Sequence, residues 1–304
     1  MPSVSLPDEV RAACAWVAER SRWVRIEEAK IEGYAAELEQ AVAEGPAEDQ
    51  AGGREPEAAA AFAICMNAIN FGSGWWPTIQ KRPGLSGYST MAAGVGERID
   101  SAGPWSPEEL AAASAAEIAA VVGQDPGHPL MAQFAAALRD VGSHLLEDHE
   151  GRYLHVAEEA RSIPDLAATF GGWESFADVS RYEGRRVPFY KRAQLAAADL
   201  HRTGVAELPG IERLTAFADN LVPHVLRVDG VLVLDPGLTA RIEAEELLIH
   251  GAPDEVELRA CAVQAIELLA SAGSLSPAAI DSVLWTRGRR YKSLPRPRSR
   301  NTAY

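Results

Sequence analysis

The sequence predicts an all-α fold with at most a short strand or two. Alanine is very common, Pro and Gly divide the chain into segments, and alternating Val/Ile/Thr runs are scarce. Hydrophobic residues make up 47% of the 304 residues and charged residues 24%, which marks a folded globular chain with room for a sizeable core. There is no fixed-period repeat and no long linker. One domain spanning 1–304 is therefore the simplest reading.

The elements follow from punctuation and apolar spacing. Residues from about 8 to 44 read as one helix, anchored by Trp16, Trp23, Ile26, Ile31 and Leu38, and about 45–56 as a loop. A buried helix runs from about Glu57 to Asn70 into NFGSGWWP. Two Gly, a Ser and a Pro around Trp75 and Trp76 make that stretch an irregular aromatic loop. Ser106 as N-cap, Pro107 at the first helical position and acids in the first turn start the next helix. Residues from about 130 to 160 are helical again, and the following stretch is broken by Gly171, Gly172, Gly184 and Pro188. Helices are expected over about 189–202, 211–218, 223–229, 236–248, 254–272 and 277–288, with GVLVLDP as the best strand candidate. The tail carries Arg287, Arg289, Arg290, Lys292, Arg296, Arg298 and Arg300 and no acid.

Charge narrows the function classes. With 29 basic and 43 acidic residues the net charge is −14, a field that repels DNA, RNA and anionic membranes. A local basic pocket for one phosphate is compatible with it. Cys14, Cys65 and Cys261 lie far apart in apolar runs and read as buried free thiols. Nothing resembles a signal peptide or an 18-residue apolar span, so a cytoplasmic location is expected.

Few stretches carry chemistry. His144 and Glu147, then His155 and Glu158, are i,i+3 pairs, but di-metal bundles use the order Glu-x-x-His, and Gly151 interrupts the run. A solvated helix face is the better reading, and no metal is expected. GVG at Gly94–Gly96 has no preceding strand and no third glycine. LPGI, Leu208–Ile211, followed by RLTAFAD fits a helix–hairpin–helix turn, although Glu212 stands where a second hairpin glycine is usual; an ordinary helical turn is the alternative. Glycosylases of that class place a catalytic aspartate a short way after the turn. Asp219 precedes a helix that must start near Val222, because of Pro223, so it is either an N-cap or a dipole-held carboxylate. Asp199 lies in an apolar helix seven residues after Arg192, which makes a structural ion pair the alternative to a catalytic role. Asp281 sits in a helix capped by Ser276-Pro277, with Trp285 four residues on. It suits an N–H-rich planar ligand, or is a surface acid. Phe71, Trp75, Trp76 and Tyr88 can stack a base or form core. Lys191, Arg192, Arg185 and Arg186 can hold a phosphate or pair on the surface.

Taken together, INFGSGWW, SGYSTM, YEGRRVPFYKRAQLAAADL, LTAFADNLVPHVL, EVELRAC, IDSVLW and the Arg/Tyr tail resemble the queuosine salvage family over nearly the whole chain. The resemblance implies a hydrolase that releases queuine from queuosine 5'-monophosphate. It also implies a helical fold similar to helix–hairpin–helix DNA glycosylases, with the catalytic part at about 183–290. It puts the catalytic aspartate, nucleophile or cation stabiliser, on Asp219, a base contact on Phe217, and base-edge recognition on Asp281 and Ser282. Asn220 stands where the family often has Tyr, Thr286 where it often has an acid, and the NF…W loop is longer. On this reading Asp199 orients the sugar or the water, Lys191 holds the phosphate with Arg192 second, and Phe71, Trp75, Trp76 and Tyr88 cover the base. The expected ligand is a small molecule, with no cofactor, no polynucleotide and no membrane, and the protein is expected to be a monomer. The competing classes are a glycosylase acting on another nucleoside or on a DNA base, and a non-catalytic helical binding protein.

Overall fold

The computed structural model describes residues 4–43, 53–291 and 293–304. Most of the loop expected at 45–56, and Lys292 of the tail, lie outside the described residues. In chain order the elements are α1 (Leu6–Ala18), β1 (Val24–Ile26), α2 (Ile31–Ala43), α3 (Pro56–Ala68), α4 (Gly87–Ala102), α5 (Pro107–Ala111), α6 (Ala115–Val122) and α7 (Pro129–Asp148). There follow α8 (Tyr153–Glu158), α9 (Ile163–Gly171), β2 (Val179–Tyr182), β3 (Arg185–Pro188), α10 (Lys191–Arg202), α11 (Leu221–Val228), β4 (Leu232–Leu234), α12 (Pro236–Glu243), α13 (Pro253–Ala272) and α14 (Pro277–Gly288). The protein is thus mainly helical, as expected, with two short two-stranded antiparallel sheets, β1–β4 and β2–β3. Among the described residues no single helix is long and apolar enough to cross a membrane.

The chain forms two compact units. Unit 1 comprises Met1–Glu48, Asp178–Lys191 and Gly210–Arg300; unit 2 comprises Asp49–Ala177, Arg192–Pro209 and Asn301–Tyr304.

Unit 1 is built on α13. Val256, Leu258, Ala260, Cys261, Val263, Ile266 and Leu269 are all buried, and a helix apolar on every side belongs at the centre of a core. α1, α2, α11 and α14 supply the surrounding apolar residues, Val10, Leu38, Val225 and Leu284 among them. Four of α13's charges are also buried, Asp254, Glu255, Glu257 and Arg259, and a buried charge needs dedicated partners. Glu257 accepts hydrogen bonds from the backbone N–H of Arg22 (2.8 Å) and Trp23 (2.7 Å) and from the Tyr182 hydroxyl (2.7 Å). Those backbone bonds correct the single helix expected over 8–44. The chain leaves α1 to reach Glu257, and Val24–Ile26 then pairs with Leu232–Leu234 before α2 begins. The strand expected at GVLVLDP is β4. The β2–β3 hairpin turns at Glu183 (φ +46°) and Gly184 (φ +79°), the positive pair that a tight two-residue turn requires.

Unit 2 packs α3, buried along most of its length, among α4, α7 and α8. Ser106 and Ser114 each close a capping box, with Glu109 and Glu117, at the starts of α5 and α6. The helical run at 130–160 is two helices, because Glu150 and Gly151 take positive φ between α7 and α8. His144 stacks on Trp173 at 4.8 Å and bonds Asp148 at 2.8 Å, an ordinary helix-face pairing.

Gly142 marks the tightest approach in unit 2. A Cβ there would lie 2.4 Å from the Ala111 nitrogen and 2.6 Å from the Pro107 oxygen, both backbone atoms of α5 that cannot rotate aside. Helix propensity alone predicts that Gly142→Ala gains about 1 kcal/mol. The contact predicts the opposite sign, a loss of about 1–3 kcal/mol from overpacking. Chemical denaturation of the two proteins decides it.

Candidate active site

The segment between Arg213 and Leu221 belongs to unit 1 and is not helical. Gly210 (φ +95°) leads into a single 3-10 turn, Ile211–Arg213, after which Leu214 is extended and residues 214–218 have no regular structure. The helix expected over 211–218 is therefore absent, and with it the second helix of the hairpin read from LPGI. Its backbone groups are buried and must be satisfied in some other way. Side chains from three helices do this. Arg11 of α1 donates to the Arg213 carbonyl (2.7 Å) and the Leu214 carbonyl (3.2 Å). The Phe217 N–H donates to Asp281 of α14 at 2.8 Å. Arg259 of α13 donates through Nε to the Ala218 carbonyl at 3.0 Å. These charge-assisted bonds replace a helix ladder and hold the strand leading to Asp219.

Arg259 is fixed in turn. Its two terminal nitrogens meet Asp178 at 2.9 Å and 2.6 Å, both side chains are fully buried, and Phe189 lies against the guanidinium at 3.9 Å. Asp178 also accepts the Lys191 backbone N–H at 3.0 Å. One buried ion pair therefore holds both the residue before Asp219 and the start of α10.

Asp219 sits two residues before α11. Its Oδ1 accepts the N–H of Leu221 (2.7 Å) and of Val222 (3.3 Å). These are otherwise unsatisfied donors at the positive end of the helix, and the carboxylate oxygen satisfies them. Among the described residues nothing bonds Oδ2, and the side chain is partly exposed. The same atoms thus make Asp219 a cap through one oxygen and leave the other open to chemistry. Asn220 is buried and donates to the Pro297 carbonyl at 3.1 Å. Asp281 of α14 and Phe217 are buried partners; on α14 the Ser282 hydroxyl donates to the Ala278 carbonyl of its own helix (3.1 Å), and Thr286 is exposed. Unit 1 therefore gathers Phe217, Asp219, Asn220 and Asp281 on one scaffold. Lys191, whose side chain is buried, is linked to them through Asp178 and Arg259.

The remaining sequence-predicted residues belong to unit 2. Asp199 pairs with Arg202 (3.0 Å), a neighbour on its own helix, and accepts from the buried Asn67 amide (2.8 Å). Burial, with the Asp199 charge second, pushes the Tyr88 phenol's pKa upward. Trp75 and Trp76 are half-buried in the aromatic loop. Gly72 (φ +95°) turns the chain there, and the Trp76 ring lies against Gly87, where a Cβ would be 2.8 Å away. Phe71 is core: it is 2% exposed, edge-on to Phe134 at 5.1 Å and beside the Arg192 guanidinium. Arg192 is not a phosphate ligand. It is 1% exposed and donates through Nε to Ala303, through Nη1 to Asn67 and Ala68, and through Nη2 to Ser175 and Thr302, always to a backbone carbonyl. A guanidinium has five N–H groups, and each is used. Arg192 thereby clasps the end of the chain, where Asn301 caps Ala303 and Tyr304 and the Tyr304 carbonyl accepts the Gly72 N–H at 3.1 Å.

The sequence reading missed Asp178, Arg259, Asn67, His224 and Arg296. His224 of α11 is 1% exposed, and burial, then the Arg227 and Arg296 charges, pull its pKa down to about 4, so it is neutral near pH 7. The signal for Arg259 was a basic residue following Glu255 and Glu257 at the start of an apolar helical run, where a charge is rare unless it is paired.

The chain matches a family model described as "Queuosine salvage protein" over residues 50–302. A protein of Sphaerobacter thermophilus named "Queuosine 5'-phosphate N-glycosylase/hydrolase" is 32% identical over 265 residues, covering 82% of each chain. Proteins of the same name from Mus musculus and Bos taurus are 29% and 28% identical, over 91% and 85% of this chain and 90% and 83% of theirs.

The Asp178–Arg259 pair yields a direct test. Asp178→Asn leaves a buried guanidinium uncompensated, and removing one partner of such a pair costs about 3–5 kcal/mol. Urea unfolding of the variant is expected to show a loss of that size; a loss below about 1 kcal/mol, the scale of a surface pair, contradicts the assignment.

Proposed function

The chain belongs to the queuosine salvage protein family, and on that basis we propose that it hydrolyses the N-glycosidic bond of queuosine 5'-monophosphate and releases queuine. The observation that carries the reading is the state of Asp219: Oδ1 is held by two helix N–H groups, while Oδ2 is bonded by none of the described residues.

Breaking this bond builds positive charge on the ribose C1' and ring oxygen. A carboxylate already ionised and immobilised stabilises that charge without reorganising, or captures it covalently before water does. In queuine a carbon replaces the purine N7, so protonation at N7 is not open to the leaving base. Stabilisation must come from its other edges. Asp281, one oxygen already placed by the Phe217 N–H, accepts from the N1–H and the exocyclic amine, and those charge-assisted bonds favour guanine-like over adenine-like bases. Phe217, whose backbone N–H donates to Asp281, contacts the base on this reading. Lys191, in the same unit, supplies a cation for the 5'-phosphate. The net charge of −14 favours a small-molecule ligand over a polynucleotide or an anionic membrane, and we take the protein to act as a cytoplasmic monomer without a cofactor.

Asp219→Asn tests the assignment. Asn caps a helix about as well as Asp, so the fold is expected to survive by circular dichroism and thermal melting. Release of queuine is expected to fall by at least about 10³-fold. Turnover like that of the wild type places the catalytic carboxylate elsewhere.

A further inference from the structure

Arg296 lies in unit 1 and is a partly buried cation to which the described residues give no hydrogen bond and no ion pair. The backbone on both sides of it is pinned. The Pro295 carbonyl accepts from Arg227 at 2.9 Å, and the Pro297 carbonyl accepts from Asn220 at 3.1 Å. Asn220 and Arg227 are seven residues apart, two turns along one face of α11, with His224 between them. The segment carrying Arg296 is thus strapped along the helix whose first turn holds Asp219, and it cannot swing away to find an anion. The charges nearby do not satisfy Arg296. His224 is neutral, Arg298 repels it and is itself paired with Glu245 at 3.2 Å, and Asp219 attracts it without forming an ion pair.

A guanidinium held partly out of water with no counter-charge is unfavourable unless something else supplies the anion. The substrate under the proposed reading carries a doubly charged phosphate on the ribose whose C1' must lie at Asp219. We propose that Arg296 binds that 5'-phosphate and is the residue that makes the site prefer the nucleoside monophosphate over the free nucleoside. This rests on Asp219 being the catalytic carboxylate. The planar fork of arginine matches two phosphate oxygens at once, which a lysine ammonium does not. Arg296 therefore complements Lys191, whose ammonium is a point charge with less geometric selection.

The experiment compares wild type, Arg296→Met and Arg296→Lys on queuosine 5'-monophosphate and on queuosine, and measures ribose 5-phosphate binding to each by calorimetry. For Arg296→Met, kcat/KM on the monophosphate is expected to fall roughly 10- to 100-fold, the value of a hydrogen bond to a charged group. On the nucleoside it should change by less than about 3-fold, and Arg296→Lys should recover part of the loss. Ribose 5-phosphate should bind wild type and bind Arg296→Met more weakly by a similar factor. Losses equal on both substrates mean that Arg296 serves Asp219 or the fold, and overturn the proposal. Binding equal in wild type and Arg296→Met, or absent from wild type, overturns it as well. Should the wild type turn over neither substrate, the glycosidase reading fails, while the calorimetry still judges Arg296. Thermal melts guard against misfolding, with Arg296→Lys as the second variant; removal of an unpaired cation is not expected to lower the melting temperature.

Discussion

The buried Asp178–Arg259 pair is the constraint on which unit 1 depends. Two full charges with no exposure are costly to desolvate, and such a pair is retained where its geometry has a use. Here the use is positional. Arg259 spends its Nε on the Ala218 carbonyl, and Asp178 spends a lone pair on the Lys191 N–H. The carboxylate that follows Ala218 and the backbone of Lys191, both in unit 1, are thereby referred to a single fixed point. A hydrophobic pair of equal volume would fill the same space without orienting either.

The same logic explains why the stretch before Asp219 is not a helix. A helix would satisfy its own backbone and need nothing from neighbours. An extended segment must borrow, and it borrows from Arg11, Asp281 and Arg259. The borrowing makes the segment stiff at the point where a stiff carboxylate is useful, since the value of electrostatic stabilisation lies in not having to reorganise. It also gives Asp281 two employments: one oxygen places Phe217, and the proposed base contact uses the same carboxylate.

How far the sequence disclosed this varied with the physics involved. α13 and α14 were legible because Pro at the start and an apolar interior are local signals. The Asp219 cap was legible because Pro223 forces a helix start nearby. The helix over 211–218 was misjudged because RLTAFAD has good helix formers, and the bonds that override propensity come from residues more than 40 positions away. The break at Gly184 was legible, but not the two-residue hairpin turn, because glutamate, unlike asparagine, is not a usual residue at positive φ. Charge was the least legible property. Arg192, Arg259 and Arg296 are indistinguishable by type, yet one clasps the chain end, one is locked to Asp178 and one has no hydrogen bond or ion pair among the described residues. The residues after the basic tail, Asn301, Ala303 and Tyr304, are buried.

In the proposed reading a carboxylate held at a helix start is joined to an arginine that has no ion pair among the described residues, in a molecule of net charge −14. The measurement that bears most directly on this is incubation of the purified protein with queuosine 5'-monophosphate, followed by mass spectrometry of the products. Glycosidic hydrolysis gives free queuine and ribose 5-phosphate in equal amounts. Intact nucleotide, or queuosine with inorganic phosphate, would contradict it.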